Sequence, residues 1–395
     1  MAINRVPPGS QSSLREANRA RIVDTIKRLG ALTQVELADA TGLSTATVSI
    51  IVNELVAAGI VATTQVTRSG RRAIQVTLSR GLGLVAGIHF STRALKVVLA
   101  DPTTVVASQR LPLPAEHRHD TGMDRAAELI AEMLASIGAP QSELLGAGLG
   151  ICSPYNPSTD MLAVPGLLRG WDEVRIAESM SRRLGKPVAV DNDANLGMLG
   201  ESRYGAARNA QSGVFVSIGH GIGAGILYNG EIMRGHDGTA GEIGHVRVVE
   251  NGALCHCGNR GCLEVMVNSS AIVSSLRNAV GNVTLRDVIA MARQGDLGCS
   301  RVISDAAHYV GTALASVCNL VNPEIVIIGG ELADAGPILI APLEASLERN
   351  SLHNPLHPPR VEVSDLGEDA SVLGAAAFAF DSVAIPVGGT LEALA

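Results

Sequence analysis

The sequence predicts an α/β protein in two parts, an N-terminal winged helix-turn-helix and a larger α/β core, and three observations predict it. Residues 14–78 hold helical apolar spacings broken at glycines, followed by a hairpin pattern. From residue 84 onward, short apolar strand signals alternate with helix signals. Within that core His245, Cys255, Cys257 and Cys262 crowd soft ligands into one short stretch of a chain with six cysteines.

At 395 residues the chain is long enough for two or three domains. Hydrophobic residues make up 46% and aromatics 2%, so the cores must be built from Ala, Val, Leu and Ile. No apolar run is long enough for a membrane span, and residues 1–10 carry Arg5 without the apolar stretch of a secretory leader. Six cysteines, three of them clustered, fit a reducing cytoplasm. Net charge is −7, yet residues 1–80 carry ten Arg/Lys against five Asp/Glu, and the remainder 21 against 33. A basic head on an acidic body predicts that the head meets a polyanion, DNA of the nucleoid in a cytoplasmic protein.

Residues 1–13 are polar, include Pro7, Pro8 and Gly9, and are expected to be disordered. Over residues 14–29, Ala17, Ala20, Ile22, Val23, Ile26 and Leu29 recur at helical spacing, and Gly30 ends the helix. Thr33 caps a short helix over 34–40, residues 41–43 make a tight turn, and Ser44 caps a third helix over 45–58. Residues 60–67 and 73–78 read as the two strands of a wing, with Arg68, Ser69, Gly70, Arg71 and Arg72 between them. On the third helix Val48, Ile51, Val52, Leu55 and Val56 form an apolar face, and Thr45, Thr47, Ser49 and Asn53 fall largely outside it. Short polar side chains there suit base edges in a major groove, while Arg68, Arg71 and Arg72 suit phosphates or a minor groove. A winged helix used for protein contact is the alternative; the positive charge argues for operator DNA. Residues 79–83 are the expected linker.

In the core, residues 84–88 and 95–100 read as paired strands joined at 89–93. A helix over 122–137 precedes a strand over 146–151, residues 161–171 are expected at the lip of a cleft, and 174–184 is a helix. A buried strand over 187–190 ends in Asp191, Asn192, Asp193, Ala194 and Asn195. Strand ends are where α/β folds place chemistry; a helix N-cap is the compatible alternative. A strand over 213–218 runs into a glycine-rich turn, residues 219–225, for which a plain hairpin is the alternative. Helices follow at 269–280, 284–293 and 301–321, the last with Gly311 and Ala315 suited to close packing. A strand and turn over 323–331, a helix over 370–380 and a loose tail, 386–395, complete the chain.

Thiolate and imidazole suit tetrahedral Zn²⁺, and four protein ligands, His245, Cys255, Cys257 and Cys262, make a closed structural site. Gly258 and Gly261 let the backbone fold around the ion; ordinary buried thiols are the alternative. Glu242 and Glu264 flank the cluster without being needed as ligands, so they are candidates to accept hydrogen bonds from sugar hydroxyls. His245 is expected to give one ring nitrogen to the metal and the other to a ligand.

Glu242, Gly244 and His245, followed by Cys255, Cys257, Gly258, Gly261, Cys262 and Glu264 at this spacing, resemble the signature of the ROK family, which contains repressors, uncharacterised open reading frames and sugar kinases. Further pieces of the resemblance cover about residues 84–380. It implies a duplicated actin-like (ribonuclease H-like, sugar kinase-type) α/β core with halves at 84–200 and 201–385, behind a winged helix of the kind fused to ROK repressors. It also implies a monosaccharide site made by Asn192, Asp193, Glu242, His245 and Glu264, with Asp193 where the kinases keep their general base. Departures accompany it. The turn at 89–93 is similar to the kinases' Asp-x-Gly-Gly-Thr phosphate turn, but His89 takes the Asp position, Ser91 and Thr92 the glycine pair, and Arg93 the hydroxyl. His220 replaces a Thr in the second phosphate turn, and Glu331 stands where the adenosine motif has a third Gly.

Phosphoryl transfer is mostly positioning and charge neutralisation around a metal-bound triphosphate. A chain that keeps the sugar groups and loses the phosphate turn binds a sugar without turning it over. The expectation is a sugar-responsive repressor of carbohydrate genes with no catalytic residue, with Asp193 vestigial and Zn²⁺ structural. Its expected partners are operator DNA, a monosaccharide effector and further copies of itself, as homodimer or homotetramer. A bifunctional sugar kinase and regulator, and a regulator controlled by a protein partner, are the alternatives. The hinge for cleft closure is expected near crossing helices that include 301–321.

Overall fold

The computed structural model describes residues 11–68, 71–114, 118–352 and 358–385. Residues 1–10 of the expected disordered start, the 386–395 tail, and Ser69 and Gly70 of the wing turn lie outside them.

The head is built from α1 (Gln11–Leu29), α2 (Gln34–Thr41) and α3 (Thr45–Ala57). Helix α1 starts at Gln11, so residues 11–13 are helical and not disordered as expected; none of the three is a helix breaker. Thr33 and Glu36 form a reciprocal capping box on α2, and the Ser44 hydroxyl caps α3. Strands β1 (Leu32–Thr33), β2 (Val61–Arg68) and β3 (Arg71–Leu78) form an antiparallel sheet in the order β1-β3-β2, with Arg68 opposite Arg71 at the wing tip. Ile22, Ile26, Leu37, Val48, Ile51, Val52 and Leu55 close the head's core. Val56, expected on the apolar face of α3, is 40% exposed. The buried stripe is 48, 51, 52 and 55, and residue 56 lies about 40° beyond Val52 at the edge of that stripe.

The expected linker, residues 79–83, is ordered. Residues Arg80–Leu82 form a 3-10 turn capped by the Ser79 hydroxyl, and Leu82 is buried in the head's core. An apolar side chain in that segment gains more by packing than by serving as a tether.

The first lobe contains β4 (Leu84–Phe90), β5 (Ala94–Ala100), β6 (Val105–Pro112), α4 (His119–Ser136), β7 (Leu144–Ile151), the short pair β8 (Tyr155–Asn156) and β9 (Met161–Leu162), α5 (Ile176–Leu184), β10 (Val188–Asn192) and α6 (Asp193–Tyr204). The second contains β11 (Gly213–Ile218), β12 (Ile222–Tyr228), β13 (Glu231–Ile232), α7 (Leu263–Val267), α8 (Ser269–Val280), α9 (Leu285–Arg293), α10 (Leu297–Val321), β14 (Ile325–Gly329), α11 (Pro337–Asn350), β15 (Arg360–Val363) and α12 (Ala370–Ser382). The first sheet runs β6-β5-β4-β7-β10 and the second β13-β12-β11-β14-β15. In each, three antiparallel strands are followed by two that add in parallel. The duplication implied by the resemblance is therefore present strand for strand.

Two helices cross between the lobes. Helix α6 follows directly from β10 of the first sheet but packs on β11 and β12 of the second. Helix α12 follows the second sheet but packs on β4 and β7 of the first. They meet at glycines: a Cβ on Gly374 would lie 1.7 Å from the Leu196 carbonyl oxygen, and one on Gly200 2.4 Å from that of Ala370. The 301–321 segment, expected at the hinge, instead lies within α10 and packs on α11 inside the second lobe, where Gly311 meets the Leu343 backbone. Among the described residues no single helix is long and apolar enough to cross a membrane.

Candidate functional site

The cleft between the lobes is built around the N-terminus of α6. Asn192 is its N-cap: Oδ1 accepts from the backbone N–H of Ala194 (2.9 Å) and Asn195 (3.2 Å), while Nδ2 donates to the Ser153 carbonyl at 3.2 Å. The side chain is 9% exposed, so the helix-cap reading holds and one amide N–H remains for a ligand. Asp193, the first helical residue, sits where the helix dipole favours a carboxylate. Its Oδ2 lies 3.4 Å from His89 Nε2, at the end of β4. The expected turn over 219–225 is a tight hairpin in which β12 already begins at Ile222, and Gly225 of that strand lies so near α6 that a Cβ would meet the Ala194 carbonyl at 2.3 Å.

Glu242 and Glu264 approach from the second lobe. Burial, then the charges of Asp193 and Glu264, push the Glu242 carboxyl up to about 7. Glu264 Oε2 faces the backbone N–H of Ile222 at 3.5 Å, and its Oε1 lies 3.2 Å from His256 Nδ1. His245 is placed between the two functions expected of it: Nδ1 is 3.7 Å from Cys255 Sγ, and Nε2 is 3.9 Å from Glu242 Oε2. Cleft and cluster are thus one unit joined through an imidazole.

The ligand atoms of His245, Cys255, Cys257 and Cys262 all lie within 4.8 Å of one another. Cys257 Sγ and Cys262 Sγ are 3.7 Å apart, as His245 Nδ1 and Cys255 Sγ are. Tetrahedral bonds of about 2.3 Å to sulfur require ligand separations of about 3.8 Å, so this donor set fits a Zn²⁺-sized ion. Gly258 (φ 91°) and Gly261 (φ 69°) take left-handed backbone, and a Cβ on Gly261 would strike the Val249 carbonyl. Burial raises the Cys255 thiol and pushes Cys262 up to about 12, whereas the backbone N–H of Asn259 lowers exposed Cys257. Metal binding would displace those thiol protons. His256, Cys255 and Glu264 form an overlapping set that the spacing did not suggest.

On the head, Thr45 and Asn53 are exposed on α3 and Ser49 is half-buried, with Ile50 exposed beside them. Thr47 differs: its hydroxyl lies 2.8 Å from that of the Ser44 cap. Arg68 Nη1 pairs with Glu36 Oε1 at 3.1 Å, and Arg72 is exposed on β3, which Arg71 begins.

Two pairings carried no sequence signal. Arg234, just after β13, reaches across to the first lobe, donating from Nε to Asp191 Oδ2 at 2.7 Å and lying 5.4 Å over the Phe378 ring. Glu331, where the resemblance expects a third Gly, pairs with Arg286 at 3.3 Å.

A ROK-family model matches residues 85–382, and a MarR-family model matches residues 16–72. The chain is 28% identical over 377 residues to the xylose repressor of Bacillus subtilis, covering 94% of this chain and 97% of that one. It is similar to the crystal structure of a ROK family transcriptional regulator, a homolog of the E. coli MLC protein, with a TM-score of 0.74, 26% identity and coverage of 93% and 96%. It is also similar to a ROK family glucokinase from Streptomyces griseus in complex with glucose and AMPPNP, with a TM-score of 0.67 and 25% identity, over 75% of this chain and 99% of that one.

Proposed function

The chain belongs to the ROK family, and from that premise we propose that it is a sugar-responsive DNA-binding repressor of sugar-metabolism genes. The observation that carries this reading is the union, on one chain, of a MarR-type head and a kinase-like cleft, with a named repressor similar over nearly its whole length.

A monosaccharide bound between the lobes would meet Asn192 and Asp193 from α6, and Glu242, His245 and Glu264 from the second lobe. Carboxylates accept from sugar hydroxyls, and charged acceptors make the stronger bonds. The effector would leave unphosphorylated. His89 gives a nitrogen where Mg²⁺ demands oxygen, and Ser91 and Thr92 crowd a turn that needs bare backbone. Zn²⁺ held by His245, Cys255, Cys257 and Cys262 would keep the sugar-facing loop in shape; thiolate and imidazole supply no reaction there. The repressor would act as a homodimer or homotetramer, so that two heads meet two operator half-sites. Thr45, Thr47, Ser49 and Asn53 would read bases, with Thr47 first leaving its cap partner. Arg68, Arg71 and Arg72 would hold phosphates.

The test is a gel-shift titration of full-length protein on a DNA fragment selected in vitro, with and without D-xylose, D-glucose or N-acetyl-D-glucosamine, beside a coupled ATP-turnover assay. One sugar is expected to shift DNA affinity with no sugar-dependent turnover. Robust turnover would make the chain a bifunctional kinase.

A further inference from the structure

We propose that Arg203 is the residue through which the sugar cleft addresses the DNA-binding head. The inference rests on the repressor reading, for which it supplies the route between the two sites.

Helix α6 is a single rod of 12 residues, about 18 Å long. Its cap, Asn192, and its first residue, Asp193, lie in the cleft. Its last turn carries Arg203, whose guanidinium donates to the backbone carbonyl of Lys27 in the last turn of α1 and pairs with Asp381 Oδ2 at 2.6 Å. Lys27 is gripped a second time. Its ammonium, 6% exposed, donates at 2.6 Å to the carbonyl of Val383, just beyond α12. Ile385 then packs on the head's core.

One residue of the head is therefore held by its backbone to α6 and by its side chain to α12. Those helices pack on different lobes. Closing the cleft moves one lobe against the other, so the crossing of α6 and α12, which the Arg203–Asp381 pair closes at this end, must adjust, and α1 is fastened to both helices there. The grip is well made: each cation sits at the C-terminal end of another helix, where carbonyls carry partial negative charge. The cluster is also partly dehydrated. Burial lowers Lys27 and raises Asp381, whose Oδ1 is buried without a partner among the described residues. A charge left unpaired there is not rescued by water.

Two readouts decide the proposal. Hydrogen exchange on full-length protein without added sugar is expected to speed up about tenfold across residues 24–30 in Arg203→Ala, and not in the exposed control Arg208→Ala. Unchanged exchange overturns the proposal. DNA affinity is then measured with and without saturating D-xylose, D-glucose or N-acetyl-D-glucosamine, and sugar affinity separately by calorimetry. In the unaltered protein the effector should shift DNA affinity by about 5–150-fold. In Arg203→Ala the shift should fall below about twofold while sugar affinity holds, a pattern that misfolding cannot produce. Lys27→Met, which cuts the link to α12 together with a 4.0 Å pair to Asp24 inside α1, should do the same. A full sugar response in Arg203→Ala overturns the proposal and leaves the repressor reading standing. An unaltered protein that no sugar moves sinks the repressor reading, while the exchange result still decides whether Arg203 fastens the head.

Discussion

His89 Nε2 lies 3.4 Å from Asp193 Oδ2, with the two side chains 16% and 24% exposed. His89, which the resemblance sets at the Asp position of a phosphate turn, is thus turned onto Asp193, which it sets at the position of a kinase base. This is a long polar contact, so it positions more than it binds. A departure and a retained residue that look independent in the sequence meet at one point of the cleft.

From that contact we expect no sugar-dependent ATP turnover in the unaltered protein or in His89→Asp. The single change restores an acid but leaves Ser91, Thr92 and Arg93 in the turn. Asp193→Asn should weaken sugar binding by about 10–150-fold, since a hydrogen bond to a charged group contributes about 1.5–3 kcal/mol. Calorimetry and a coupled assay check both statements. Sugar affinity untouched by Asp193→Asn would remove that residue from the site.

Cys257→Ser should remove the metal and the sugar response together. Cys257 is the exposed member of the cluster and the one whose thiol is lowered, so it can be replaced without opening the core. Elemental analysis should find about one zinc per chain before the change and little after it. A metal-free variant that still responds normally to sugar would separate the cluster from the cleft.

Sugar affinity should rise with pH through about 7. Burial first, and the Asp193 and Glu264 charges second, hold the Glu242 carboxyl near that value. Below it the group is protonated and accepts sugar hydroxyls less well; above it the carboxylate is the stronger acceptor. Affinity measured from pH 6 to pH 8 should climb and then level off, and Glu242→Gln should flatten the curve. A flat profile in the unaltered protein would mean that Glu242 makes no such bond.

Where a residue's role is local, the sequence announced it. The Thr33 and Ser44 caps, the left-handed glycines of the cysteine loop and the first strand pair of the first lobe follow from short spacings. What depends on distant partners was illegible. Helix α6 carries Gly197 and Gly200, which read as weak helix until Phe215 and Ala370 are seen to need the space. Helix α11 contains Pro342. Trp171, expected at the cleft lip, is fully buried against Phe90. Arg203, Arg234 and Asp381 are ordinary charged residues until the fold brings their partners to them.

On the head, Arg72→Ala should weaken binding to specific and random DNA alike and reduce the slope of log affinity against log salt by about one phosphate's share. Thr45→Ala and Asn53→Ala should instead alter sequence preference, because both lie on the exposed face of α3. Thr47→Ala should alter sequence preference too and, through the lost contact with the Ser44 hydroxyl, cost the head about 1 kcal/mol or less of stability. Binding-site selection separates these outcomes; equal losses on specific and random DNA from the α3 changes would count against a base-reading helix.

Gly374→Ala should be the most damaging small substitution in the core. The added Cβ would stand 1.7 Å from the Leu196 carbonyl oxygen, and both partners are backbone, so neither side can yield by changing a rotamer. The cost should reach about 3 kcal/mol or more, in the range of severe overpacking. Gly185→Ala is the control. That glycine ends α5 at φ 64° with nothing within 4 Å of a Cβ, so it should cost only about 1 kcal/mol of backbone strain. Thermal melts of the two variants should therefore differ by several degrees. If Gly374→Ala melts like Gly185→Ala, α6 and α12 can part without penalty, and the two lobes are not coupled through this pair.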